Sequence, residues 1–253
     1  MNELAAAEAS GTLTAPQRRQ LDRFREILNA SPYGTELPKG PPPGYDPHAT
    51  TAAHREWYPP EGKKPVHPAD DKFTPEALAI PDHEIKATKQ RLKEEGHAHD
   101  RHGPEVTDGQ LADRSMHGID PITQTREDGI KSGQDHSYSG NATQFTSDRA
   151  MVQSLKAVEG SHEFHLKLQL AEAHNASHPG KPRPQIVIKG VSLEKALGPQ
   201  YHEHVRGVSR KGTAAAPTGT EPIDFTNGKV MAVYRYNRST GKYQLYTMYP
   251  DPQ

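Results

Sequence analysis

The stretch that decides the fold closes the chain: Lys229–Pro250 reads KVMAVYRYNRSTGKYQLYTMYP. Two runs rich in Val, Tyr and Thr flank the turn residues Arg238–Gly241, the pattern of an antiparallel hairpin. Alternation along the second run puts Thr247 and Tyr249 on one face of the last strand. Helical patterns dominate upstream, so helices come first and strands last. That order predicts an α+β fold, small helices followed by an antiparallel sheet, behind a mostly extended helical and proline-rich N-terminal region.

Working outward from the hairpin, QIVIKG reads as a strand and SLEKALG as a short helix ended by Gly198. HEFHLKLQL alternates Phe164, Leu166, Leu168 and Leu170, which predicts a half-buried strand. Ser147 caps a helix that turns Met151, Val152, Leu155 and Val158 inward and stops at Gly160, and NATQFTS before it is a short strand. Residues 119–141 are polar and turn-rich, a long loop or insertion. Ahead of them Thr107 and Gln110 make a capping box for DGQLADRSMH, closed by Gly118.

A further helix is expected from Asp82 to the stop at Gly96, with a thin apolar stripe of Ile85, Ala87 and Leu92. Thr14 can cap a helix to about residue 30, with Leu21, Phe24, Ile27 and Leu28 at helical spacing. Between these, residues 31–72 are proline-dominated, an extended connector in which Trp57 and Tyr58 anchor either a partner or the chain's own surface. The expected division is residues 1–96 for helices and connector, used for loading or docking, and 97–253 for a C-terminal domain. No internal repeat is present.

The chain has 253 residues, 32% of them hydrophobic, and a mean hydropathy of -0.90, low for one densely packed domain. Net charge is -1, so no global field draws it to nucleic acid, and an RNA substrate would need a local groove. There is no cysteine, hence no disulfide and no thiolate metal site. No apolar run approaches the roughly 20 residues of a membrane helix. The start MNELAAAEASGTLTAPQRR lacks the basic-then-apolar order of a secretory signal, so export is expected to use a dedicated machine.

Chemistry concentrates in GHAHDRHGPEVTDGQLADR, from Gly96 to Arg114. His102 precedes the capped helix that carries Arg114. Metal-free RNA cleavage needs a group to take the ribose 2′ proton, one to protonate the leaving 5′-oxygen, and one to stabilise charge on phosphorus. An imidazole near its ordinary pKa of about 6.5 suits the proton transfers. A guanidinium donates two hydrogen bonds to two phosphate oxygens, and hydroxyls such as those of Thr247 and Tyr249 orient the phosphate. Arg114 shares a face with Leu111, so it is either drawn inward onto an anion or laid along the surface.

The string R-H-G-x-x-x-T-D-x-x-L-x-x-R, here Arg101-His102-Gly103, Thr107-Asp108, Leu111 and Arg114, resembles the RNase A-like toxin domains at the C-termini of bacterial contact-dependent inhibition and other polymorphic toxins. ATQFTSDRAMVQSL and RYNRSTGKYQLYTMYP match in the same order, so the resemblance covers residues 97–253. It implies a compact α+β endoribonuclease without metal or other cofactor, cleaving RNA, often tRNA, to a 2′,3′-cyclic phosphate in the cytoplasm of a target cell. It also implies a secreted effector, a cognate immunity protein and a secretion-apparatus carrier. By motif position His102 is the proton-transfer histidine and Arg114 the phosphate-stabilising cation, with Thr247 and Tyr249 completing the site.

Three other readings remain open. His97, His99 and His102, with His117 or Asp100, could ligate zinc or nickel. Glu221 in GTEPIDF could be the late glutamate of an ADP-ribosyltransferase toxin. The domain could also be a binding module whose Thr247 and Tyr249 pack across strands, as some of Tyr234, Tyr236, Tyr243 and Tyr246 must. His162, His165, His202 and His204 read as loop or strand-face residues, and the loop of His136 could fold over the site.

Overall fold

A computed structural model of the chain describes residues 10–12, 18, 68–137 and 139–252. The expected helix over 14–30 falls almost wholly outside the described residues, and the connector up to residue 67, with Trp57 and Tyr58, falls wholly outside them. Among those described, the α-helices are α1 (Pro75–Leu78), α2 (Asp82–Glu95), α3 (Ala98–His102), α4 (Asp108–His117), α5 (Asp148–Glu159), α6 (His162–Ser177) and α7 (Leu193–Leu197). The strands are β1 (Asn141–Phe145), β2 (Ile186–Ser192), β3 (Val205–Gly212), β4 (Pro217–Pro222), β5 (Lys229–Asn237) and β6 (Lys242–Asp251). They form two antiparallel three-stranded sheets, ordered β2-β5-β6 and β1-β3-β4. The fold is α+β.

Two compact units divide the chain. Of the described residues, the first takes those of 107–142 and 208–221; the second takes those of 68–106, 143–207 and 222–252. The expected boundary at 96/97 therefore runs inside the second unit, between α2 and α3.

Alternation along β5 and β6 builds the second unit's core. Val230, Ala232, Tyr234, Leu245 and Met248 meet Met151, Leu155 and Val158 of α5, Ile186 and Ile188 of β2, and Leu193 of α7. α5 forms as its sequence predicts: Ser147 accepts the amide of Ala150 at 3.1 Å and Gly160 stops the helix. Burying a Met or Leu of this kind contributes about 1.5–3 kcal/mol.

The stretch predicted as a strand at HEFHLKLQL is instead the start of α6. Its alternating leucines are not a pleat. Phe164 and Leu168 pack on the core with Ala171 buried beyond them, one helical face, whereas Leu166 and Leu170 stay 45% and 60% exposed. α6 carries no β-branched residue, and Leu, Lys, Gln, Ala and Glu all favour helix. The hydroxyl of Ser161 accepts from Phe164 N–H at 3.1 Å and sets the start. His162 and His165 are therefore helical, and His204 is fully buried, its Nε2 2.8 Å from Lys72 O and its ring 4.4 Å from Phe73.

In the first unit α4 begins at the expected capping box and ends at Gly118 in the left-handed region, φ 68°. The described residues between Gly118 and β1 form a loop with one isolated bridge, Glu127 to Asp135. Two carboxylates hold it from inside: Asp120 accepts the amides of Ile122 and Gly129, and Asp128 those of Ile130 and Lys131. His136, buried, lies 3.5 Å from Asp128 and 4.0 Å from Asp120.

Candidate active site

The second unit brings His102 to the closing strand. In the β5–β6 ladder Tyr234 pairs with Leu245 and Val233 with Thr247, so Tyr246 is an unpaired bulge residue. Because of that extra residue, Leu245 and Met248 both reach the core. Tyr246, Thr247 and Tyr249 are left on the other face, where α3 packs against β6. Thr247 and Tyr249 thus keep the same-face relation expected of them.

The α2–α3 junction is fitted to this bulge. Glu95 accepts the Leu245 amide at 3.2 Å, and His97 N–H donates to Tyr246 O at 3.0 Å. Gly96 between them touches the strand so closely that a Cβ would lie 2.6 Å from Leu245 O and nearer still to Tyr246 O. α3 then follows along β6, with His97 edge-on to Tyr246 (centroids 4.5 Å, 89°) and His102 stacked on Tyr249 (4.9 Å, 24°).

His102 is oriented by β1. Its Nδ1 is 2.8 Å from Thr143 O, a carbonyl that can only accept, so Nδ1 carries the proton. In the neutral ring Nε2 is then the basic nitrogen. The hydroxyl of Thr143 in turn donates to Pro250 O at 2.6 Å, tying β1, α3 and β6 together around the imidazole. Thr247 is 9% exposed and its buried Oγ1 has no hydrogen-bond partner. A buried hydroxyl without a partner costs about 1–3 kcal/mol, and a bound phosphate would satisfy it.

The next histidine holds α3 to the rest of the unit. His99, 1% exposed, places Nε2 2.9 Å from Asp148, whose other oxygen meets Lys89 at 2.8 Å. Asp100 lies 3.8 Å from the second ring nitrogen, beyond hydrogen-bond reach, so it acts through charge. Burial works against the charged imidazole, but Asp100 and Asp148 outweigh it and hold His99 above its ordinary value. Burial likewise pushes Asp148 up, and His99 and Lys89 outweigh that to hold it below.

The stabilisation from His99 is complete below its ordinary 6.5 and is lost as pH rises through the folded value. That from Asp148 is complete above 3.8 and is lost as pH falls through its own folded value. Asp148→Asn is expected to cost roughly 1.5–3 kcal/mol at about pH 6. In urea unfolding across pH, its deficit shrinks as His99 deprotonates.

Arg114, half-exposed on α4, belongs to the first unit. The structure therefore assembles His102, Thr247 and Tyr249 in one unit and describes Arg114 in the other. Glu221 ends the first unit's part of β4 and faces Lys211 at 3.4 Å, both exposed. The clustered histidines do not converge: His97 meets Tyr246, His99 meets Asp148, and His102 meets Thr143 and Tyr249. Among the described residues no group of three or more His, Asp or Glu is placed to hold a metal ion, and no helix is long and apolar enough to cross a membrane.

Thr143, Tyr246 and Gly96 were not singled out in sequence for this site. Their roles come from a backbone carbonyl, a bulge and a close approach, none of which has a residue signature. Compared with known proteins, the chain matches no family model, no curated protein and no solved structure.

Proposed function

We propose that the chain is a metal-independent endoribonuclease of the RNase A-like toxin kind, which it resembles in the order of its motifs. The observation that carries this reading is the triple of His102, Thr247 and Tyr249 on one face of β6, with Nδ1 of His102 fixed by Thr143 O at 2.8 Å. His102 Nε2 takes the proton of the ribose 2′-hydroxyl, which attacks its own phosphodiester and leaves a 2′,3′-cyclic phosphate. Thr247 and Tyr249 position the phosphate by their hydroxyls. Arg114 has the charge-stabilising role by its place in the motif. On the same reading the protein is a secreted effector acting in a target-cell cytoplasm, with an immunity protein as its blocking partner and a carrier in the secretion apparatus.

The test is total RNA incubated with purified protein in EDTA, products read as cyclic phosphate and 5′-hydroxyl ends. Intact RNA under those conditions refutes the reading. Thr247→Val separates function from packing. Exchanging an unpartnered buried hydroxyl for a methyl is expected to raise stability by about 1 kcal/mol. The same change lowers cleavage about tenfold, the value of one lost hydrogen bond at about 1.4 kcal/mol. Loss of stability together with unchanged cleavage would make Thr247 a packing residue.

A further inference from the structure

On β6, Tyr246 and Tyr249 lie to either side of Thr247, and each carries a histidine of the α3 segment. His102 stacks on Tyr249, and His97, buried at 5% exposure, sets its ring against Tyr246. The main chain fixes His97 as well, through its N–H to Tyr246 O at 3.0 Å. Two imidazoles therefore rest on the two tyrosines that bracket Thr247 along the strand, and its hydroxyl is unpartnered. In a phosphoryl displacement the entering and leaving oxygens lie roughly in line on opposite sides of phosphorus. A phosphate held at Thr247 would meet one imidazole on each side.

We propose that His97 is the second proton-transfer residue, the general acid that protonates the leaving 5′-oxygen. The inference rests on the ribonuclease reading above. As the 2′-oxygen bonds to phosphorus, its proton passes to Nε2 of His102. The bond from phosphorus to the 5′-oxygen breaks with its electron pair on oxygen, and that oxygen takes the proton of imidazolium His97. The products are the cyclic phosphate and a 5′-hydroxyl, with His97 neutral and His102 protonated.

Charged and titratable groups lie on the elements about His97. Asp100 follows on α3 and Glu95 precedes on α2; Tyr246 faces it from β6, and Arg235 of β5 lies over the Tyr246 ring at 3.4 Å. Asp100 is held below its ordinary value, first by His99, against burial, with Lys93 and His97 contributing. The Arg235 guanidinium is drawn to the face of the Tyr246 ring.

The test compares two substrates of the full chain: the dinucleotide UpA, whose alkoxide must be protonated to leave, and uridine 3′-(4-nitrophenyl) phosphate, whose phenolate leaves without a proton. His97→Gln is expected to slow UpA cleavage about 10²-fold and the aryl ester less than about threefold. His102→Asn slows both. In the wild type, the alkaline limb of the kcat/KM profile is present on UpA and absent on the aryl ester, a readout that needs no substitution. A limb shared by both substrates overturns the proposal, as does His97→Gln cleaving UpA at the wild-type rate. Wild-type protein that cleaves neither substrate overturns the ribonuclease reading itself.

Discussion

His102→Asn is expected to reduce RNA cleavage by about 10²–10⁴-fold, the range for removing a positioned proton-transfer group. Asparagine is the informative replacement. Its amide nitrogen can stand where Nδ1 stands and keep donating to Thr143 O, now at 2.8 Å from the ring. That retains the tie between α3 and β1 while removing the basic nitrogen. Alanine would also empty a site that is 4% exposed and leave a buried carbonyl without its donor, at about 1–3 kcal/mol. If His102→Asn unfolds at the wild-type midpoint and loses cleavage, the ring's role is chemical. If it cleaves at the wild-type rate, the catalytic assignment is wrong whatever becomes of stability.

How much of this was legible beforehand depends on whether the signal is local. Caps are local: Thr107 with Gln110, Ser147 with the Ala150 amide, and Gly160 with the Lys156 carbonyl have their partners within a turn or so, and each marks an element end as expected. The closing hairpin is local in the same sense, because Arg238–Gly241 fixes the turn between β5 and β6. β3 and β4 went unread. VRGVSRKG and PTGTEP lack an apolar alternation, since most of their positions stay half-exposed or exposed. HEFHLKLQL failed for the opposite reason. Its pattern was strong, but Phe164 and Leu168, four apart, satisfy a helical face as well as a pleated one, Ala171 extends only the helical one, and the absence of β-branched residues was the deciding signal.

The site divides in the same way. Residue types named His102, Thr247 and Tyr249, and the motif order placed them together. The spacing of His97, His99 and His102 suggested shared ligation, yet α3 turns the three rings to three different neighbours. The Thr143 carbonyl and the Tyr246 bulge are backbone events that depend on pairing across the whole chain. No side-chain pattern near either residue announces them.

The second large effect is expected at Gly96. A methyl there would lie 2.6 Å from Leu245 O, closer still to Tyr246 O. Both obstacles are main chain and cannot rotate aside. The φ of Gly96 is -169°, extended backbone open to any residue, so the cost of Gly96→Ala is contact and not conformation. Either the α2–α3 junction lifts from β6 or the bulge flattens. In both cases the Leu245 amide loses Glu95 and Tyr246 O loses the His97 amide. We expect a loss of about 3 kcal/mol, the upper end for overpacking, read as a lower denaturant midpoint, with cleavage falling alongside it as His97 and His102 leave Thr247. Gly180→Ala is the control: nothing lies within 4 Å of its Cβ position, so the reduced freedom of the unfolded chain should add about 0.4–1 kcal/mol. Equal behaviour of the two variants would mean that α3 does not rest on the strand in solution, and the site assembled on that contact would go with it.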